Sequence, residues 1–302
     1  MATPSLAKQL KRFLRYWAIR SSLSLLGLIP AKRAGRLGEA FGALAFALAG
    51  SERRKALEAI ATAFPQLSEA ARLDLARRCF RHLGRCAFEM ACFREIDRAV
   101  ESWVDWPQQE QELFRQAAAR GRGVVLVTGH VGNWELLGRR IAREGIAPFL
   151  AVAKEATDGR LTELVDGFRA RAGVESIWRG QEGSAKRLLR ALRSGHILTL
   201  LIDQDTRVQS VFVPFFGQPA ATPRAAADLA LRTGASVVVG FCQRDGGGRY
   251  HLSTEELKLD LSGDRESDAT AVTAALTARI EAAIRRAPEQ WVWMHRRWKT
   301  RP

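Results

Sequence analysis

From residue 123 onward the chain alternates short apolar runs with longer amphipathic stretches, and this alternation restricts it to a sheet with helices on both faces. The runs are Gly123–Thr128, Ile146–Ala153, Ile197–Ile202 and Ser236–Phe241. Each is too short for a buried helix and rich in β-branched residues, the pattern of strands buried on both sides. Helical stretches fall between and after them: Trp134–Glu144, Leu161–Ala172, Ser184–Ser194 and Arg224–Thr233. Gly246–Gly248 marks a loop tip before an edge strand at Tyr250–Thr254, and a last helix over Ala269–Arg286 stops before Pro288. The expected fold is α/β, with a mostly parallel central sheet flanked by helices.

Residues before this point read as helix, because Ala, Leu and Arg dominate and β-branched runs are missing. Ser68 after the breaker Pro65 starts one such helix as an N-cap. The expected organisation is an N-terminal helical, membrane-associating region over 1–119 and an α/β catalytic region over 120–302, joined as one continuous domain. No run of 18 clean apolar residues occurs: Tyr16–Leu28 is interrupted by Arg20, and Ala40–Ala49 is too short to span a bilayer. Lys8, Lys11, Arg12, Arg15 and Arg20 flank Phe13, Leu14, Trp17 and Ile19, which fits an amphipathic anchor lying on a membrane. The competing reading is a helix packed on its own domain with a solvated basic face.

Charge narrows the partners. The chain carries 47 Lys+Arg against 32 Asp+Glu, a formal charge of +15. Such a surface attracts anionic head groups, an acidic carrier protein or nucleic acid. Trp291, Trp293 and Trp298 lie among His295, Arg296, Arg297 and Lys299. That mixture suits a lipid head-group interface, nucleic-acid stacking, or a segment with Trp inward and Arg outward. A nucleic-acid-binding protein is the non-enzyme alternative, but no helix-turn-helix, finger or RNP-like motif supports it. Four cysteines and no readable cleavable signal peptide favour a reducing compartment. Cys79, His82 and Cys86 share a helix face but lack a further ligand, so they read as core fillers; neither metal nor cofactor is expected.

The chemistry is carried by Gly129-His130-Val131-Gly132-Asn133-Trp134-Glu135, where a buried strand hands over to a helix. Ligands gather at the carboxyl ends of strands in open α/β sheets. Asn133 is placed as the helix N-cap. On one continuous helix His130 and Glu135 would point about 140° apart; they meet only if His130 sits in the loop and Glu135 in the first turn. A neutral imidazole can take a proton from an alcohol, and a carboxylate on its other ring nitrogen fixes the tautomer. The expectation is that Glu135 supplies that carboxylate. No Ser or Cys adjoins the pair, so the substrate hydroxyl attacks directly. Asp203 ends an apolar strand and faces the site to orient a partner. Val211–Phe216, with Pro214 inside, resists helix and is expected to wall an acyl-chain groove.

Gly129–Glu135 resembles the His-x4-Asp/Glu block of the lysophospholipid acyltransferase superfamily, and more closely that of the bacterial lipid A biosynthesis (lauroyl/myristoyl) acyltransferases. Further blocks follow in the family's order. Arg53–Pro65 ends Ala63-Phe64-Pro65; Asp203-Gln204-Asp205 precedes Val211-Phe212-Val213-Pro214-Phe215-Phe216-Gly217 and Ala221-Thr222-Pro223; and Pro288–Trp298 resembles the C-terminal signature. The resemblance implies a glycerolipid acyltransferase-like fold and a His130–Glu135 dyad. It also implies a functional arginine at Arg169, with Arg171 the second choice, and a functional acid at Asp203. It further implies an acyl carrier protein as donor, a lipid A precursor or related glycolipid such as a phosphatidylinositol mannoside as acceptor, and a place at the cytoplasmic face of the bacterial inner membrane. Arg12, Arg15 and Trp17 in front, and Trp293, Arg296, Arg297 and Trp298 behind, are expected at the head-group interface.

Overall fold

The computed structural model describes residues 5–302, the side chain of Lys8 excepted. Four helices come first: α1 (Leu6–Leu26), α2 (Ala31–Leu48), α3 (Gly50–Ala63) and α4 (Glu69–Ala91). Ser68 caps α4, its hydroxyl accepting from the Ala71 amide. Short helices α5 (Phe93–Asp97) and α6 (Val100–Trp103), a two-residue strand β1 (Val104–Asp105) and α7 (Gln108–Ala119) lead into the sheet. There follow β2 (Val124–Thr128), α8 (Trp134–Arg143), β3 (Phe149–Lys154), α9 (Gly159–Ala170), β4 (Val174–Arg179), α10 (Ser184–Arg193) and β5 (Ile197–Leu201). A hairpin of β6 (Ser210–Phe215) and β7 (Gln218–Pro223) comes next, then α11 (Ala225–Thr233), β8 (Ser236–Arg244), β9 (Tyr250–Glu256) and α12 (Arg265–Arg286).

The main sheet has seven strands in the order β1-β9-β8-β2-β5-β3-β4, parallel except where β8 meets β9. All five residues of β2 are buried, and they alternate between two apolar layers. Val125 and Val127 face Leu192, Ala226, Leu276 and Ile280 from α10–α12. Val124 and Leu126 face Phe114, Leu136 and Ile141 from α7 and α8. A run without polar alternation therefore does mark a strand with helices on both sides. The first layer also takes in Ile60, Leu75 and Phe80, so residues on both sides of position 119 share one core.

Three parts differ from the sequence expectation, the first being β1, a strand paired with β9 inside the stretch 1–119 expected to be helical. β4 is a strand where no apolar run was read, because this edge position tolerates the exposed Glu175 and half-buried Ser176 between Val174 and Ile177. The 210–223 segment is a separate antiparallel hairpin. Its Phe215 and Phe216 do not wall a groove: they are buried against Trp291, Trp293 and Phe64.

The N-terminal helices are asymmetric. α2 lies so close to α4 that a Cβ at Gly38 or Gly42 would sit 2.4 or 2.2 Å from a backbone carbonyl of α4, a contact only glycine permits. The opposite face of α2 exposes Leu37, Phe41, Leu44 and Leu48. On α1, Leu6, Leu10, Phe13, Leu14 and Trp17 form a second exposed stripe. Among the described residues no helix is long and apolar enough to cross a membrane.

Candidate active site

The site forms where β2 and β5, adjacent and parallel, end level with one another. Thr128 pairs in register with Leu201, so the residues two further along each chain, His130 and Asp203, arrive side by side. His130 Nδ1 lies 2.9 Å from Asp203 Oδ1, and the His130 amide donates to Oδ2 at 2.8 Å. The Trp291 indole N–H also donates to Oδ2, at 2.8 Å. Burial pushes the Asp203 carboxyl up, but the neighbouring His130 charge and these three donors outweigh it and hold the group at about 2. Asp203 is thus an anion at neutral pH, and it accepts from Nδ1–H. That tautomer leaves the lone pair on Nε2. The ring is one-quarter exposed, and the Trp134 indole packs edge-on against it at 5.0 Å.

The loop that presents His130 is fixed by backbone geometry. Gly132 has φ +65°, and a Cβ there would fall 2.0 Å from the Cys242 carbonyl oxygen, so no other residue fits. Its amide donates to the Gln290 carbonyl, and the next amide, of Asn133, donates to the Cys242 carbonyl. Asn133 caps α8 as expected, accepting from the Leu136 amide at 3.1 Å. Beneath the loop, His82 of α4 places Nε2 3.2 Å from the Gly132 carbonyl, while Arg244 approaches its Nδ1 at 3.2 Å. An arginine only donates, so Nδ1 accepts and Nε2–H points at the loop. Burial, reinforced by Arg244, drives the His82 pKa down to about 3, which keeps this ring neutral. Sequence reasoning assigned His82 only to core filling; nothing in its spacing signals a contact with the loop.

Glu135 does not reach the imidazole. It sits in the first turn of α8 and turns toward α9, where Arg169 Nε donates to its Oε2 at 3.1 Å and Nη2 to Oε1 at 2.5 Å. The carboxylate on His130 is therefore Asp203, because adjacent parallel strands bring their ends together whereas a helical first turn carries Glu135 toward the next helix. The Glu135–Arg169 pair closes one side of a recess lined by Trp134, Gly138, Phe149, Ala151, Val174 and Leu201. Thr199 Oγ1 is buried there without a partner. Arg171 stays outside on the surface, its guanidinium 5.8 Å from the Phe168 ring.

The C-terminal tryptophans are not at a head-group interface. Trp293 is 0% and Trp298 9% exposed, and Trp291 and Trp293 pack edge to face at 4.6 Å. Arg297 is fully buried: its guanidinium lies 5.0 Å from the Phe215 ring and donates to the Ala221 carbonyl and the Thr222 hydroxyl. These four rings need one another as apolar partners, which turns the segment inward and leaves Arg296 and Lys299 outside. Buried indoles cannot stack on bases, so the case for nucleic acid rests on the +15 charge alone. In front, Trp17 and Arg15 are exposed and Arg12 half-buried.

A buried carboxylate and a tautomer-fixed imidazole with one open nitrogen, set at the strand ends, are the parts of a general-base site on an α/β sheet. Residues 5–300 match the family described as bacterial lipid A biosynthesis acyltransferase, and the chain belongs to that family. It is 29% identical over 296 residues to the lipid A biosynthesis lauroyltransferase of Escherichia coli K12, covering 95% of this chain and 93% of that one. The palmitoleoyltransferase of the same organism is also 29% identical, over 297 residues and the same shares. A phosphatidylinositol mannoside acyltransferase of Mycolicibacterium smegmatis is 30% identical over 180 residues, 59% of this chain and 57% of that one.

Proposed function

We propose that this protein transfers a fatty acyl group from an acyl carrier protein thioester to a hydroxyl of a lipid A precursor, at the cytoplasmic face of the inner membrane, with His130 as general base and Asp203 behind it. The observation that carries the reading is the open Nε2 of an imidazole whose Nδ1 is tied to a buried carboxylate beside a recess. In the reaction, Nε2 takes the acceptor hydroxyl proton as the oxygen attacks the thioester carbonyl carbon. The tetrahedral intermediate then collapses, the C–S bond breaks, and the imidazolium returns its proton to the leaving thiolate. Asp203 steadies the imidazolium while it exists. Glu135 keeps Arg169 at the mouth of the recess, whose open volume of about 20 Å³ takes no more than the tip of the acyl chain against Phe149, Val174 and Leu201.

The exposed stripes of α1 and α2 support a membrane surface as the place of work, with Lys11, Arg12, Arg15, Lys32, Arg33 and Arg36 nearby to meet anionic head groups. A formal charge of +15 suits both an anionic acceptor and an acidic carrier. The mycobacterial relative favours a second acceptor, a phosphatidylinositol mannoside, but it aligns with 59% of this chain against 95% for the lipid A enzymes. Mass spectrometry of lipids incubated with the enzyme, acyl-carrier donors of several lengths and each acceptor decides. A gain of one acyl chain on the lipid A precursor, absent in His130→Ala, is expected. A gain only on the mannoside moves the acceptor, and no gain on either refutes the reading.

A further inference from the structure

Next to the segment that bonds to His130, four basic side chains converge on an open hollow that the reaction above leaves unused. Its lining is Lys55 from α3 together with Met294, His295, Arg296 and Lys299 from the C-terminal segment. That segment is tied to the site: the Val292 amide donates to the His130 carbonyl at 3.3 Å, and the His295 amide to the Val292 carbonyl at 3.4 Å. Lys299 Nζ donates to the Asp205 carbonyl at 2.9 Å, two residues beyond Asp203.

Its charges are only partly compensated. Glu52 pairs with Lys55 at 2.6 Å, and the buried Asp205 carboxylate stands 3.8 Å behind Lys299. Arg296 is exposed and makes no ion pair among the described residues. The His295 ring lines the hollow with its Nε2 turned away from solvent and without a hydrogen-bond partner among the described residues.

We infer that this hollow is an anion subsite that holds a phosphate group of a substrate while His130 works on the neighbouring hydroxyl. The inference rests on the acyl-transfer reading for its substrate, and on the hollow alone for its chemistry. A phosphate in the hollow within reach of Arg296, Lys55 and Lys299 balances the excess charge, and its field acts on the His295 ring behind them. Burial, then the Lys299 charge, hold His295 below its ordinary pKa; an anion in the hollow offsets the Lys299 charge and favours the protonated ring. Two groups share this chemistry, the phosphodiester of a donor's pantetheine arm and a sugar phosphate on the acceptor.

The test has a binding arm and a kinetic arm. Inorganic phosphate titrated into the full-length protein shifts the ring resonances of His295 in NMR. The Lys55→Gln/Arg296→Gln double variant, its fold checked by unchanged melting and unchanged core tryptophan signals, binds phosphate at least tenfold more weakly. Equal affinity in the double variant, or no movement of His295, overturns the site. In the kinetic arm, acyl-phosphopantetheine is compared with acyl-pantetheine, and phosphorylated acceptor with its dephosphorylated form. The double variant loses the preference for phosphate, at least tenfold in kcat/KM, for the donor pair or for the acceptor pair, and the pair affected names the source. If neither preference changes, the assignment to substrate is wrong. If no pair gives product while phosphate binding still depends on Lys55 and Arg296, the acyl-transfer reading fails and the anion site stands.

Discussion

Replacing Asp203 by Asn changes one atom and separates the two candidate carboxylates. Asp203 Oδ2 accepts from two donors, the His130 amide and the Trp291 indole, while Oδ1 meets only His130 Nδ1. An asparagine has one acceptor oxygen and one donor group. Its oxygen keeps the two-donor side, since turning the NH2 there would oppose two N–H groups at once. The NH2 then faces Nδ1 and forces the ring into the tautomer with Nε2 protonated, where it cannot act as a base. In a serine-protease triad the same wrong tautomer lowers kcat about 10⁴-fold, equivalent to about 5.5 kcal/mol of barrier at roughly 1.4 kcal/mol per decade. A loss of about 10³- to 10⁴-fold in kcat is expected for Asp203→Asn, read by thiol release from the acyl donor at saturating acceptor. Glu135→Gln keeps the shape of the recess and one bond to Arg169, so it lowers kcat/KM by about 10- to 30-fold. If Glu135→Gln falls 10³-fold and Asp203→Asn stays within tenfold with its fold intact, the reasoning from strand register is refuted.

The linkage of Asp203 gives an acid test. Its folded pKa of about 2 lies below the ordinary value of 3.8, so it contributes about 2 kcal/mol that is present above pH 4 and lost as pH falls toward 2; urea unfolding of the wild type should show this limb and Asp203→Asn should lack it. His82, with a folded pKa of about 3 against 6.5, is also depressed, so stability is full above pH 6.5 and drops by about 1.4 kcal/mol per pH unit below it; His82→Gln, which keeps a donor for the Gly132 carbonyl, should flatten that slope between pH 6 and 4. At Gly138 a Cβ would sit 3.4 Å from the Phe149 ring, so Gly138→Leu fills the acyl recess and should shift donor preference to shorter chains, each methylene excluded being worth about 1–3 kcal/mol; an unchanged chain-length profile places the acyl group elsewhere. Phe41→Glu with Leu44→Glu on the exposed face of α2 should weaken sedimentation with anionic vesicles at least tenfold, at about 1.5–3 kcal/mol for each apolar side chain removed from the interface; unchanged binding assigns the membrane contact to α1 alone.

The parts of the fold readable in the sequence were those where one rule decides. β2, β5 and β8 carry apolar runs because both their faces are covered, and β3 carries one over Phe149–Ala153 although only its first two residues are fully buried. β4 escaped because an edge strand needs only part of its surface buried, and Glu175 and Ser176 break the run. The tryptophans at 291, 293 and 298 escaped for a different reason. Trp beside Arg has the same composition at a membrane interface and in a core, and only the hairpin 210–223, which brings Phe215 and Phe216 to them, decides between the two.

The site shows why motif spacing and contact are separate quantities. His130 and Glu135 are five residues apart and share a motif, yet the imidazole belongs to a loop held by Gln290 and Cys242, while the carboxylate belongs to a helix that leans on α9. His130 and Asp203 are 73 residues apart and touch, because β2 and β5 are neighbours in the sheet. Strand order is a long-range property, fixed by which faces pack best over the whole core, and no local window of sequence contains it. What the sequence does contain is that both residues follow closely on a buried apolar run, and the structure sets both two positions beyond a strand end. Given the parallel neighbour relation, that offset alone places imidazole and carboxylate together, and it leaves Glu135 free to hold Arg169, a task that needs a helix rather than a strand end.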